Sequence, residues 1–306
     1  MPRHLSLPLV AIAALALPAT AAAYEEVPGT RVLGMGGASR AFAVGDSGPM
    51  LNPSGMALVK TYNIEGSYGY GNRLNDHSFH ASAVDNTSAF NIAAGVFYTH
   101  HLAEPPVMAG ATRLSGSGHA AGVALAFPIP PFAAIGGTVK YLRLEGADAP
   151  AGNDGGVTFD LGATVRPHQL VSLALVGRNL RSLHNSHAPK GVAYGVALLP
   201  MPGLIIAADA ITHFTVDNLS GRKGTSVMAG GELTFGGKFA LRAGGGYDAV
   251  TGNGYASAGV SLVSELAALD GGIRQDIFVN ELSPSVTIVG VAVRIFVPAM
   301  QTQPQQ

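Results

Sequence analysis

Apolar and polar residues alternate along most of this chain with a period of two. That is the spacing of a β-strand whose two faces meet different surroundings. Tyr62, Ile64, Gly66, Tyr68 and Tyr70 share one face of a first segment, with Asn63, Glu65 and Ser67 on the other. Phe79, Ala81 and Ala83 mark a second segment, and Phe90, Ile92, Ala94, Val96 and Tyr98 a third. A fourth is expected around 107–113, and Val123, Leu125 and Phe127 mark the next, closed by Pro128, Pro130 and Pro131. Ile135, Gly137, Val139 and Tyr141 alternate with Thr138 and Lys140. After a polar loop at 146–156, Val157, Phe159, Leu161, Ala163 and Val165 alternate with Asp160, Thr164 and Arg166. A turn at 167–169 leads to Val171, Leu173 and Leu175. Further segments are expected at 192–199, 204–214, 226–235, 238–247, 254–262, 269–278 and 286–297, with 263–268 open to a helical turn. In the last, Val289, Val291, Val293 and Ile295 oppose Arg294. The pattern predicts about 14 strands, with a range of about 12 to 16, joined mostly by short turns as an antiparallel meander.

A sheet of that size rarely stays open, because beyond about ten strands it curls or splits. Closing it into a barrel removes the unpaired edges, and in lipid closure is compulsory. Composition favours the lipid case. Charged residues make up 12% of the chain, against about 25% in soluble domains. The uncharged stretches 114–139 and 191–208 contain Pro128, Pro130, Pro131, Pro200 and Pro202, which would break a spanning helix. The expected fold is therefore an all-β transmembrane antiparallel barrel over 61–297. A soluble periplasmic β-sandwich is the alternative, and its outer faces should carry more charge. The chain has no Trp and 7% aromatic residues. Tyr62, Tyr68, Tyr70, Phe97, Tyr98, Phe278 and Phe296 would supply a thin aromatic girdle.

The ends refine this picture. Arg3 and His4 precede an apolar run from Leu5 to Ala19, and Ala21, Ala22 and Ala23 offer small residues before Tyr24. Residues 1–23 read as a signal peptide. Export makes the outer membrane the expected location, with the periplasm as the alternative. Residues 298–306 read as a flexible tail after the last strand. The chain has no Cys, so no disulfide staples it, and its net charge of -1 gives no footprint for nucleic acid.

Residues 24–60 break the strand pattern. Gly34, Gly36 and Gly37 do not make a phosphate loop, because no strand precedes them and their spacing is wrong. Glycines here suit close approach to neighbouring backbone. Asn52-Pro53 suits a turn, with Asn bonding backbone and Pro fixing φ. Gly34, Met35, Gly36, Gly37 and Ala38, followed by Asn52, Pro53, Ser54, Gly55, Met56 and Ala57, resemble the start of the outer-membrane long-chain fatty acid and aromatic hydrocarbon transporter superfamily. The likeness is greatest to its shorter PorV/PorQ-type branch, although Ser54 stands where that branch usually has Ala. Weaker echoes occur at Leu161-Gly162-Ala163, at Val176-Gly177-Arg178-Asn179-Leu180 and at Leu241-Arg242-Ala243-Gly244. The resemblance implies a barrel of fourteen or so strands with 24–60 folded inward as a hatch. It also implies passage of hydrophobic compounds or, as the alternative, a scaffold or secretion-accessory role with secretion-system proteins as partners.

The chemistry-bearing residues fit passage or scaffolding better than catalysis. His100 with His101, and His184 with His187, are the best local pairs for zinc, but three or four clustered ligands are needed. No nucleophile elbow appears, and nothing calls for a cofactor or a metal. Met35, Phe42, Met50 and Leu51 are candidates to line an apolar ligand pocket, or equally to pack the hatch. Arg31, Arg40 and Asp46 in the hatch, and Arg166, Arg178 and Arg242 on polar strand faces, are candidate lumen charges that would pair with acids or with one another. Expected partners are outer-membrane lipid and a small hydrophobic ligand. A lateral gap beside a hatch-lined pocket would favour transport, and a closed lumen would favour a scaffold.

Overall fold

A computed structural model describes residues 29–72, 75–87, 91–103, 116–144, 155–183, 188–214, 224–249, 251–279 and 285–297. The signal peptide, the tail at 298–306, His184, His187 and the strand expected at 107–113 lie outside these residues.

The described residues form fourteen strands. They are β1 (Tyr62–Gly71), β2 (Asp76–Asp85), β3 (Ala93–Ala103), β4 (Gly116–Ile129), β5 (Ala133–Leu144), β6 (Gly155–His168) and β7 (Val171–Arg178). They continue as β8 (Gly191–Met201), β9 (Leu204–His213), β10 (Thr225–Phe235), β11 (Phe239–Asp248), β12 (Asn253–Val263), β13 (Ala267–Phe278) and β14 (Thr287–Phe296). Each pairs antiparallel with its chain neighbours, and β1 pairs with β14 from Asn63↔Phe296 to Gly71↔Ile288, closing the barrel. A two-sheet sandwich is thereby excluded. The stretch open to a helical turn is instead a tight turn at 264–266 between β12 and β13. The turn expected at 167–169 falls later, because β6 runs on to His168 through a register shift after Val165.

The barrel is apolar on its outside. Val123, Leu125, Phe127, Val139, Leu161 and Val291 are all exposed, while inward neighbours such as Ala120, Ala124, Thr138, Lys140, Asp160 and Ala292 are buried. Exposed branched side chains over polar buried ones invert the order of a soluble sheet and match a wall facing lipid. No described helix is long and apolar enough to cross a membrane. Phe97 departs from the expected girdle: it points inward, 5% exposed, and packs with Met50, Ala120 and Leu142.

The two ends of the barrel differ. Connections at 130–132, 169–170, 202–203, 236–238 and 264–266 share an end with the start of β1 and the finish of β14. The strands that meet at the other end are joined by the longer stretches 104–115, 145–154, 179–190 and 214–224, although β1–β2 and β11–β12 are joined there by only four residues and the seven-residue link β2–β3 belongs to the short-turn end. Outer-membrane barrels place short turns on the periplasmic side and long loops outside.

Candidate functional site

Residues 29–58 lie inside the barrel as short helical pieces. They are α1 (Gly29–Gly34), 3-10 turns at Arg40–Phe42 and Gly45–Ser47, α2 (Gly48–Leu51), and a 3-10 turn at Pro53–Leu58. Such short pieces cannot stand alone, so the wall must hold them.

The wall first makes room. Gly230 and Gly244 face each other across β10 and β11, and a Cβ on either would run into the backbone of Met35. Gly36, at φ +65°, lies against the backbone of Gly245, so it needs both glycine's left-handed freedom and its missing side chain. Gly34 lies against Gly259 of β12, and Gly37 beside Met228 Sδ. Ala38 is fully buried.

Polar contacts then fix the segment at separate points. Asp209 of β9 accepts from the backbone N–H of Ser39 at 2.8 Å, that of Arg40 at 2.9 Å, and Arg40 Nη1 at 3.1 Å, all on one carboxylate oxygen. Arg31 donates twice to Glu232 of β10, at 2.8 Å each. Asn52 Nδ2 donates to the Arg40 carbonyl and to Thr164 Oγ1 of β6, both at 2.8 Å, while its Oδ1 accepts from Ser54. Pro53 starts the turn behind it, and Gly55 fits against the Ala43 carbonyl. Tyr255 Oη donates to the Gly36 carbonyl at 2.8 Å, and Ser172 Oγ to that of Ala41 at 2.7 Å.

Near the short-turn end these contacts merge into a charge cluster. Arg242 bridges Glu232 and Asp270, and Arg294 holds Asp270 at 2.8 Å. Arg294 also lies 3.7 Å from both Asp46 and Glu65. Burial opposes ionisation of Asp46, but Arg294 and Arg31 outweigh it and hold its carboxyl below the usual carboxylate range. Burial likewise opposes charge on Arg31, and Glu232 more than restores it. Arg31, Arg242 and Arg294 are each paired with an acid, as buried charges require. Separately, Lys140 and Asp160 form a 2.8 Å pair on β5 and β6, each side chain 1% exposed.

The sequence-expected residues thus occupy several places. Arg31, Arg40, Asp46 and Arg242 all meet acids or amides in the lumen. Arg166 stands 5.7 Å over the Phe42 ring, which Arg31 also faces at 5.6 Å. Arg178 ends β7 at the long-loop end, half-buried. Met35 and Phe42 join one apolar cluster, Met50 a second and Leu51 a third. Asp209, Glu232, Asp270 and Glu65 escaped sequence reasoning as anchors. Their one signal was an acid at an inward position of a strand. Among the described residues no group of three His, Asp or Glu stands where it could hold a metal ion.

On its outer side the wall between β8 and β11 carries an apolar depression of about 710 Å³, rimmed by Tyr194, Val196, Val227 and Tyr247. Its floor is Ala208, Ala210, Ala229 and Gly245. Directly inside the same strands lie Met35, Gly36 and Arg40. Small residues thin the wall here to little more than backbone between the depression and the inner segment.

The described residues thus form a fourteen-stranded closed barrel with residues 29–58 held in its lumen. No protein-family model and no curated protein matches the sequence. Solved structures do. The monoaromatic hydrocarbon channel CymD superposes with a TM-score of 0.68 at 14% identity, over 88% of this chain and 97% of that one. A Pseudomonas aeruginosa FadL homologue gives 0.66 at 12% identity, over 87% and 98%. The Pseudomonas putida toluene transporter TodX gives 0.65 at 12% identity, over 87% and 96%. At such identities the likeness is one of fold.

Proposed function

We propose that this chain is an outer-membrane barrel that binds and passes small hydrophobic molecules, with 29–58 as its hatch. The observation that carries this reading is the apolar depression backed by the hatch at Met35–Arg40. It opens towards the lipid side, from which an apolar ligand would enter, and its aromatic rims suit a flat or branched one. The named channels and transporters of the same fold support the same class of cargo. The hatch is held by polar contacts distributed over many strands, so part of it can shift without unfolding the wall.

The test is uptake of a labelled monoaromatic hydrocarbon and a labelled long-chain fatty acid into proteoliposomes. Ala208→Trp with Ala229→Trp fills the depression from the lipid side and leaves the hatch untouched. Uptake should fall about tenfold, the loss of ~1.4 kcal/mol of binding. Unchanged uptake by a correctly folded variant rejects the depression as the ligand site.

A second reading is a non-transporting scaffold or secretion accessory of the PorV/PorQ type. One observation favours it: the strand ladder runs unbroken from β8 through β11 at the level of the depression. The same vesicles separate the two, since a scaffold gives no uptake above empty liposomes even with 29–58 deleted.

A further inference from the structure

The outer surface of β1–β5 carries a feature that the transport reading leaves unused. Following strand register, Tyr68, Phe79, His100, His119 and Arg143 stand side by side on five consecutive strands. They share the outward face of exposed Val96, Tyr98, Val123 and Tyr141. His77 lies one step further towards the long loops, beside Tyr70. At the matching ends of β8, β9, β11 and β14 the outward residues are Val192, Thr212, Tyr247 and Thr287, none of them charged.

The rings are tied to one another. Tyr68 Oη meets His77 Nδ1 at 2.7 Å, and Tyr98 Oη meets His119 Nδ1 at 2.8 Å. His100 stacks on His119 with centroids 4.3 Å apart and Nδ1 atoms at 3.2 Å. All three imidazoles therefore spend Nδ1 within the row. A tyrosine hydroxyl donating to Nδ1 of His77 and of His119 places their ring protons on Nε2 and makes those atoms donors, while His100, whose Nδ1 then donates to His119 Nδ1, keeps Nε2 as an acceptor.

Height says what these donors face. Ile129, at the short-turn end of β4, is 45% exposed. From Ile129 to His119, at ~3.4 Å per residue and a tilt of ~40°, the rise along the membrane normal is about 26 Å. The apolar band of such barrels is about 25 Å tall, so His119, and Arg143 ten residues along β5 from Ala133, stand where acyl chains give way to headgroups, whereas Tyr68, six residues along β1 from Tyr62, and His100, seven along β3 from Ala93, lie lower on their tilted strands. Val123 and Tyr141 just beneath His119 and Arg143 would contact the chains.

We propose that His119 and Arg143, register neighbours on β4 and β5, dock the phosphate of a phosphorylated lipid in the leaflet at the long-loop end. Arg143 supplies the charge and a planar fork matched to phosphate, and His119 Nε2 supplies a further donor. The occupant is a lipid rather than a soluble anion because the donors are continuous with the apolar belt. This inference rests on the outer-membrane reading and adds a fixed orientation of the barrel in its bilayer.

The experiment is native mass spectrometry of the full chain in micelles, titrated with diphosphoryl lipid A and with its dephosphorylated form. Heat-dependent gel mobility confirms the folded barrel in each sample. The intact row should bind the phosphorylated lipid about tenfold more tightly than the dephosphorylated one. The combined variant His119→Gln and Arg143→Gln should lose that preference. If it does not fold, Arg143→Gln and Tyr98→Phe are tested singly, and each should reduce the preference. A folded barrel that binds both lipids equally, or variants that keep the preference, overturns the proposal. A product with heat-insensitive mobility overturns the barrel reading and this proposal with it.

Discussion

Asp209 offers the sharpest test of how the hatch is held. One oxygen of its carboxylate, in a side chain 0% exposed, receives two backbone N–H groups and the Arg40 guanidinium. Asp209→Ala removes the acceptor and leaves a buried cation and two buried amides facing a methyl group. Breaking a buried pair from one side costs about 3–5 kcal/mol. The other anchors, Glu232 to Arg31 and Thr164 to Asn52, remain, so the loss should fall on local opening of 35–43 and not on the barrel. A drop of ~3 kcal/mol in the opening free energy speeds amide exchange there about 100-fold. Asp209→Asn keeps an acceptor without its charge, and about tenfold is expected. Hydrogen–deuterium exchange on the folded full chain measures both, with a β2–β3 peptide as the internal control. If both folded variants exchange 35–43 within about twofold of the parent, the carboxylate is not the latch and the reasoning fails.

Three further outcomes follow from the same geometry. Gly244→Val should displace Met35 and cost about 1–3 kcal/mol of hatch docking, read as faster proteolysis of 29–58, whereas Gly66→Ala, with nothing within 4 Å of a new Cβ, should change nothing. Asp46 has a folded pKa held below its unfolded value, so its contribution is complete above about pH 4 and fades as pH falls towards the depressed value; exchange of 44–48 followed down in pH should rise in the parent and lose this dependence in Asp46→Asn. Lys140→Met alone should lower the unfolding free energy by about 3–5 kcal/mol, read from denaturant titration, and adding Asp160→Leu should recover most of it, because an apolar pair replaces a buried ion pair at little cost.

How far the sequence carried is visible in particular residues. Val123, Val139 and Leu161 announced an outward face because lipid demands branched apolar groups at every second position, and the barrel followed from the number of such runs. Arg166 keeps its inward parity beside exposed Val165 and faces the lumen, where it meets the Phe42 ring. Phe97 was legible as inward, since Val96 and Tyr98 flank it, but girdle chemistry outweighed its parity. Partners were not legible at all. Arg31 and Glu232 are 201 residues apart, and only the closed register brings β10, β11 and β13 around α1. The glycines of the wall gave a second hidden signal. Gly230 and Gly244 read as weak strand residues, yet each is the socket for a residue some two hundred positions earlier.

The hatch is held by a different force from the wall. Much of the apolar surface faces lipid, and the lumen mixes acids, amides and hydroxyls with apolar wall residues such as Val176, Ile205, Ile211 and Met228. The hatch's apolar residues are split among separate clusters against that wall. Its position is set further by carboxylates on β9 and β10 and by glycines that let backbone touch backbone. Polar anchors of this kind are directional and short-ranged, so losing one opens a few residues and leaves the next anchor in place. The Asp209 anchor lies behind the thinnest wall, beside the depression. Opening there would bare the inner side of Gly195, Met228 and Gly246 while the charge cluster around Arg294 kept the rest of the hatch seated.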